Sequence, residues 1–215
     1  CCTSEWSMAP SQRRNRPMEE KKTFGWLEGF RLSGPLAELR PEVTVISVSD
    51  REGDIDEIFA EDQQQLQAQK PVAQWLIRCP HDRILEDPPL RLKQEVQKAP
   101  LFGLVHFEIP AQPANKKDKK PARPARTVVQ ELRACTVVLK PTQGKETLGP
   151  LPITVVLAQE IQVPEGQEPL CWILLTSLNA TTLEEALEII DFYLSRWEIE
   201  VFHKILKSGC TVEKL

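Results

Sequence analysis

Tyrosine occurs once, methionine twice and histidine three times in this chain of 215 residues. The six cysteines stand at positions 1, 2, 79, 135, 171 and 210 and form no C-x-x-C pair. So few histidines and such scattered thiols point away from a zinc cluster and from a disulfide framework. No apolar run reaches 18 residues, so no segment reads as a membrane-spanning helix. The first twenty residues hold no apolar stretch of the kind a secretory signal needs. A cytoplasmic, reduced setting is the expectation. A net positive charge is also missing: the formal net charge is −4. Any contact with nucleic acid must then come from local patches. No Asp precedes Asp50, and the chain opens on Cys1-Cys2 rather than Met, which reads as a piece of a longer reading frame. What is present is a length that suits one large domain or one and a half, and a hydrophobic content of 41%, enough to bury a real core.

The organisation changes along the chain. Residues 1–22 are polar and irregular, a leader. Residues 23–40 carry Trp26, Leu27 and Phe30 at a spacing that shares one helix face. The β-branched run 43–49 predicts a buried strand that stops at Asp50. Residues 55–69 predict a helix ended by Pro71. From Pro71 to Ser177 short β-like runs follow one another: Trp75–Arg78, Leu104–Ile109, Cys135–Lys140, Ile153–Ile161 and Cys171–Thr176. Pro, Gly and charged residues separate them, as in an antiparallel β region. One separator, residues 115–126 (NKKDKKPARPAR), holds six Lys or Arg against one Asp. Such a run is ordinarily a solvated linker. No internal repeat is visible.

Residues 182–208 predict the longest helix. Thr181 or Thr182 can cap it, with Glu184 and Glu185 three residues on as in a capping box. A helix of this length spans roughly 40 Å. On it Tyr193, Arg196, Glu200 and Lys207 fall within a stripe about 60° wide and roughly 21 Å long. Leu187, Ile190, Leu194 and Val201 are left to pack against the core. Spacing alone allows a plain solvated stripe with an Arg196–Glu200 ion pair.

Three blocks in order add to that. The helix reads YLSRWEIEVFHKILK, with the pattern Y-x-x-R-x-x-x-E-x-x-x-x-x-x-K. Residues 48–54 read VSDREGD, between a predicted strand and a predicted helix. Residues 169–177 read PLCWILLTS, with Trp172 lying 28 residues before Glu200. These blocks resemble the insertion-sequence-four group of bacterial DDE transposases, hairpin-forming enzymes of the cut-and-paste type, over roughly residues 20–215. The resemblance implies an α/β fold: an RNase H-like catalytic core interrupted by an antiparallel β insertion subdomain. Residues 23–70 and 179–215 would belong to the core, and residues 71–178 to the insertion.

The resemblance also implies chemistry. In this group three carboxylates hold two divalent metal ions, Mg2+ or Mn2+, which activate the attacking oxygen and stabilise the leaving one. Asp50 and Glu200 match two of the three. The first catalytic Asp of the group lies upstream of the segment resembling residues 23–40, so the chain as given is expected to be inactive by itself. Tyr193, Arg196 and Lys207 match a clamp on DNA phosphates. Trp172 matches a platform for a base flipped out near the transposon end, and Arg78 a contact to the same nucleotide. Lys116, Lys117, Lys119, Lys120, Arg123 and Arg126 match a basic DNA-touching loop. The implied partners are double-stranded DNA at transposon ends and a second copy in a synaptic homodimer, in the bacterial cytoplasm at the nucleoid, with no membrane. The alternative is a non-catalytic DNA-binding remnant, or an inhibitor that occupies transposon ends.

Overall fold

The computed structural model describes residues 18–209, apart from 71, 72, 88, 89, 112, 115–121 and 123; at 203, 204 and 206–209 it describes the backbone alone. In chain order the elements are α1 (Phe24–Leu39), β1 (Ile46–Ser49), α2 (Asp56–Gln67), β2 (Gln74–Arg78), α3 (Leu92–Lys98), β3 (Leu101–Ile109), β4 (Arg126–Leu139), β5 (Leu151–Ile161), β6 (Cys171–Thr176) and α4 (Leu183–Gly209). The described residues form a mixed α/β fold, with four helices and one six-stranded sheet in the order β1-β2-β6-β5-β4-β3.

β1 and β2 run parallel, with Ser49 opposite Ile77. A parallel pair needs a crossover between its strands, and α2 supplies it. Every other pairing is antiparallel. β2 therefore joins the segment before residue 71 to the segment after it within one sheet.

Helices pack on both faces of the sheet, which gives three layers. On one face Leu27 and Phe30 of α1, Ile58 and Phe59 of α2, and Leu92 and Val96 of α3 pack on Trp75, Ile77, Val155, Leu157 and Leu175. On the other, Ala186, Ile189, Ile190 and Tyr193 of α4 pack on Leu76, Leu132, Val156 and Leu174. This explains the near-continuous apolar run of β5. In a central strand both alternating faces are buried, so both are apolar.

α4 starts as its sequence suggests. Thr182 Oγ accepts the Glu185 amide at 3.2 Å, and Glu185 reaches back to the Thr181 amide at 2.7 Å. Its first turn lies close against β3. A Cβ at Gly103 would sit 2.9 Å from the end of the Leu183 side chain, so a larger residue there would make that side chain shift.

Two elements depart from expectation. β4 begins at Arg126, nine residues before Cys135, where the apolar run starts. The polar residues of its first half hide the strand, and tertiary partners satisfy them: Gln130 donates to the Leu170 carbonyl, and Arg126 pairs with Glu160. α3 was not expected either. It is seven residues long, too short for periodicity to show.

Candidate nucleic-acid interface at one end of the sheet

Strand register brings several of the motif residues to one end of the sheet. β1 ends at Ser49, so Asp50 stands beyond its carboxyl end, beside Arg78 at the carboxyl end of β2. Arg78 is in turn opposite Leu174 of β6. With strands about 4.8 Å apart, Asp50 and Leu174 are separated by about 10 Å of backbone across the sheet. In open α/β sheets the crevice beyond the carboxyl ends of parallel strands is where ligands bind. Ile109 pairs with Arg126, so the connection between β3 and β4 departs from this same end.

The turn after β1 is built locally. Asp50 is still extended, and its Oδ1 accepts the Glu52 amide at 2.9 Å. That bond caps the single 3-10 turn Arg51–Gly53. A Cβ at Gly53 would collide with Ser49 Oγ, so only glycine lets the turn fold back on the strand. The next acids are structural. Asp54 and Asp56 both pair with Arg83, Asp54 at 2.5 Å, and the Thr142 amide and hydroxyl donate to Asp56 at 2.6 and 2.8 Å.

On the α4 side four residues form a continuous chain of contacts. Alternation along β6 turns Trp172 and Leu174 toward α4. The Trp172 and Tyr193 rings lie 6.1 Å apart at 59°, within the range of favourable tilted aromatic pairs. The Arg196 guanidinium lies 5.7 Å from the Tyr193 ring centre and 5.4 Å from that of Trp197. It also grips Glu200 at 2.7 Å. Burial pulls the Arg196 pKa down, but Glu200 and Tyr193 outweigh it, and the net shift is upward. Arg196 Nε is buried without a hydrogen-bond partner.

The stripe sits where α4 leaves the sheet. Tyr193 is 3% exposed, whereas Trp197, Val201 and Phe202 are each more than half exposed. This corrects two expectations. Leu194 and Val201 do not pack in the core, because the second half of α4 overhangs the sheet. Tyr193 is not a surface residue that could meet a phosphate. Its ring fills the core position beneath Trp172 and supports Arg196.

The basic residues divide. Arg126 is held in a forked pair with Glu160 at 2.8 and 3.0 Å and is nearly buried. It is therefore not free to touch DNA. Lys116, Lys117, Lys119, Lys120 and Arg123 lie outside the described residues, as does the side chain of Lys207. Arg51 and Lys93 were not singled out from the sequence, yet they lie with Arg78 around one cleft. Arg51 was legible within D-R-E-G-D. Lys93 was not, since nothing marked α3. No protein-family model matches the chain.

Proposed function

We propose that the chain is core material of an RNase H-like DDE transposase of the insertion-sequence-four group, acting on double-stranded DNA at transposon ends. The observation that carries this reading is the run of contacts Trp172–Tyr193–Arg196–Glu200. Its decisive contact is Trp172 with Tyr193, which joins β6 to α4; Arg196 and Glu200 follow as neighbours along the helix. The position of Asp50 at a parallel strand end also supports it.

In this reading Trp172 is the stacking surface for an extruded base. A base taken out of the duplex loses its stacking partners, and an aromatic face compensates by about 1–3 kcal/mol. Tyr193 holds the Trp172 ring and orients the guanidinium of Arg196. When DNA arrives, Arg196 can exchange Glu200 for a phosphate, which frees the Glu200 carboxylate for its catalytic role. Residues 71–178, from β2 to β6, belong in this reading to the insertion subdomain.

Mg2+ or Mn2+ is part of the implied chemistry, and the described residues alone do not fit such ions. Among them no group of three Asp, Glu, His or Cys side chains is arranged to hold a metal ion. Glu200 is held by Arg196, and one oxygen of Asp50 by the Glu52 amide. A third carboxylate has to come from outside the described residues. The Arg196–Glu200 pair, which engages the carboxylate, favours a second reading, a DNA-binding remnant or inhibitor without catalysis.

The test uses the chain and a version extended upstream by a strand bearing the third carboxylate. The extended protein is expected to cut end-bearing DNA with Mg2+, and its Asp50→Asn and Glu200→Gln variants to bind the DNA without cutting it. Undiminished cleavage in either variant would sink the proposal. The chain by itself is expected to shift DNA in a gel and leave it uncut, and nicking by it would remove the three-carboxylate requirement.

A further inference from the structure

Beyond the ends of β1 and β2 the surface opens into a cleft of about 270 Å³. Its walls carry Arg51 from the turn after β1, Arg78 from the end of β2, and Lys93 from the start of α3, with His81 beside them. None of the three permanent cations makes an ion pair among the described residues, whereas Arg83, a few residues away in the chain, is paired with two carboxylates. The one acid on the wall, Asp82, accepts the Lys93 amide through Oδ1 at 2.8 Å and keeps its charge. Three elements thus bring three cations to one concavity against a single carboxylate. Like charges gathered without partners repel one another, and that cost is recovered when an anion arrives. The charges of Lys93 and Arg78 both reach the Cys171 thiol on the cleft wall. Burial raises that thiol's pKa, and the two cations oppose the rise.

We infer that this cleft is a phosphate-binding site that takes one phosphodiester of a nucleic-acid strand. Two arginines and a lysine match that ligand: planar guanidinium groups grip phosphate oxygens in pairs, and the ammonium acts as a point charge. The cleft is open and lies next to Asp50, so a strand can run across it instead of ending in it. The identity of the ligand as nucleic acid rests on the transposase reading; the anion site itself does not.

The experiment measures binding of the whole chain to a duplex oligonucleotide of arbitrary sequence with one unpaired base, by fluorescence anisotropy across a salt series without divalent ions. Arg51→Gln and Lys93→Met are each expected to weaken binding several-fold and to flatten the salt dependence by about 0.9 in log–log slope per cation removed. Circular dichroism of each variant checks the fold, and Lys93→Arg is expected to restore binding. Trp172→Ala is the parallel arm for the transposase reading. If Trp172→Ala weakens binding and the cation variants leave slope and affinity unchanged, the cleft is not the site and the proposed function stands. If the cation variants act and Trp172→Ala does not, the cleft stands and the stacking role fails. Inorganic phosphate that stabilises the protein against heat as well as the oligonucleotide does, lost in Lys93→Met, would overturn the strand assignment in favour of a free phosphate.

Discussion

Arg83 offers the sharpest test of how the strand-end region is held. Its side chain is 6% exposed, and those of its partners Asp54 and Asp56 are 4% and 0%. It joins the loop after β2 to the start of α2, and through Asp56 to Thr142 in the loop after β4. Arg83→Met keeps the aliphatic stem but leaves two buried carboxylates without their cation. Breaking a buried pair in this way costs about 3–5 kcal/mol. With a urea dependence of about 2 kcal/mol per molar, the unfolding midpoint falls by about 2 M. Tryptophan fluorescence can follow this, because Phe59 lies against both Arg83 and the Trp75 ring.

The pH dependence supplies the sign. Burial would raise the Asp56 pKa, but Arg83 and Thr142 outweigh it and hold it below the ordinary 3.8. A lowered folded-state pKa contributes stability above the unfolded value and loses it as pH falls through the folded one. In Arg83→Met burial dominates, so Asp56 titrates high and acid relieves the strain. The gap between wild type and variant should therefore be widest near pH 7 and narrow as pH falls. A pH-independent loss below about 1 kcal/mol, the range of exposed ion pairs, would refute the reasoning.

Asp62 behaves in the opposite sense. It is buried on α2, and burial raises its pKa while Trp75 offsets this only in part. A raised folded-state pKa contributes stability below the unfolded value and loses it as pH rises. Asp62→Asn should thus stabilise the protein at pH 7, with the gain vanishing near pH 3 in urea titrations. Gly53→Ala should destabilise by about 1–3 kcal/mol through overpacking. Ser49→Ala should rescue only part of this by thermal melting, since Ser49 Cβ also lies 2.6 Å from the new methyl position.

Much of the local structure was legible. The capping residues and unbroken run of 182–208 announced α4, and the β-branched stretch ending at Asp50 announced β1, because caps, turns and periodicity act over a few residues. The Tyr193–Arg196–Glu200 stripe was legible too, since helix geometry alone fixes which positions share a face. What the stripe faces was not. Whether Tyr193 meets solvent or lies under Trp172 depends on where β6 lies, a pairing 21 positions away in sequence.

The same limit hid the first half of β4. Glu160 turned Arg126 from an apparent loop cation into a buried structural residue. It also hid the cleft, whose three cations come from residues 51, 78 and 93. Sequence by itself determined the helices with strong ends, the strands with clear apolar runs and the motif spacing on α4. Tertiary structure decided which charges are neutralised inside and which are left to face a ligand. That division depends on the distance between groups far apart in the chain, which only packing sets.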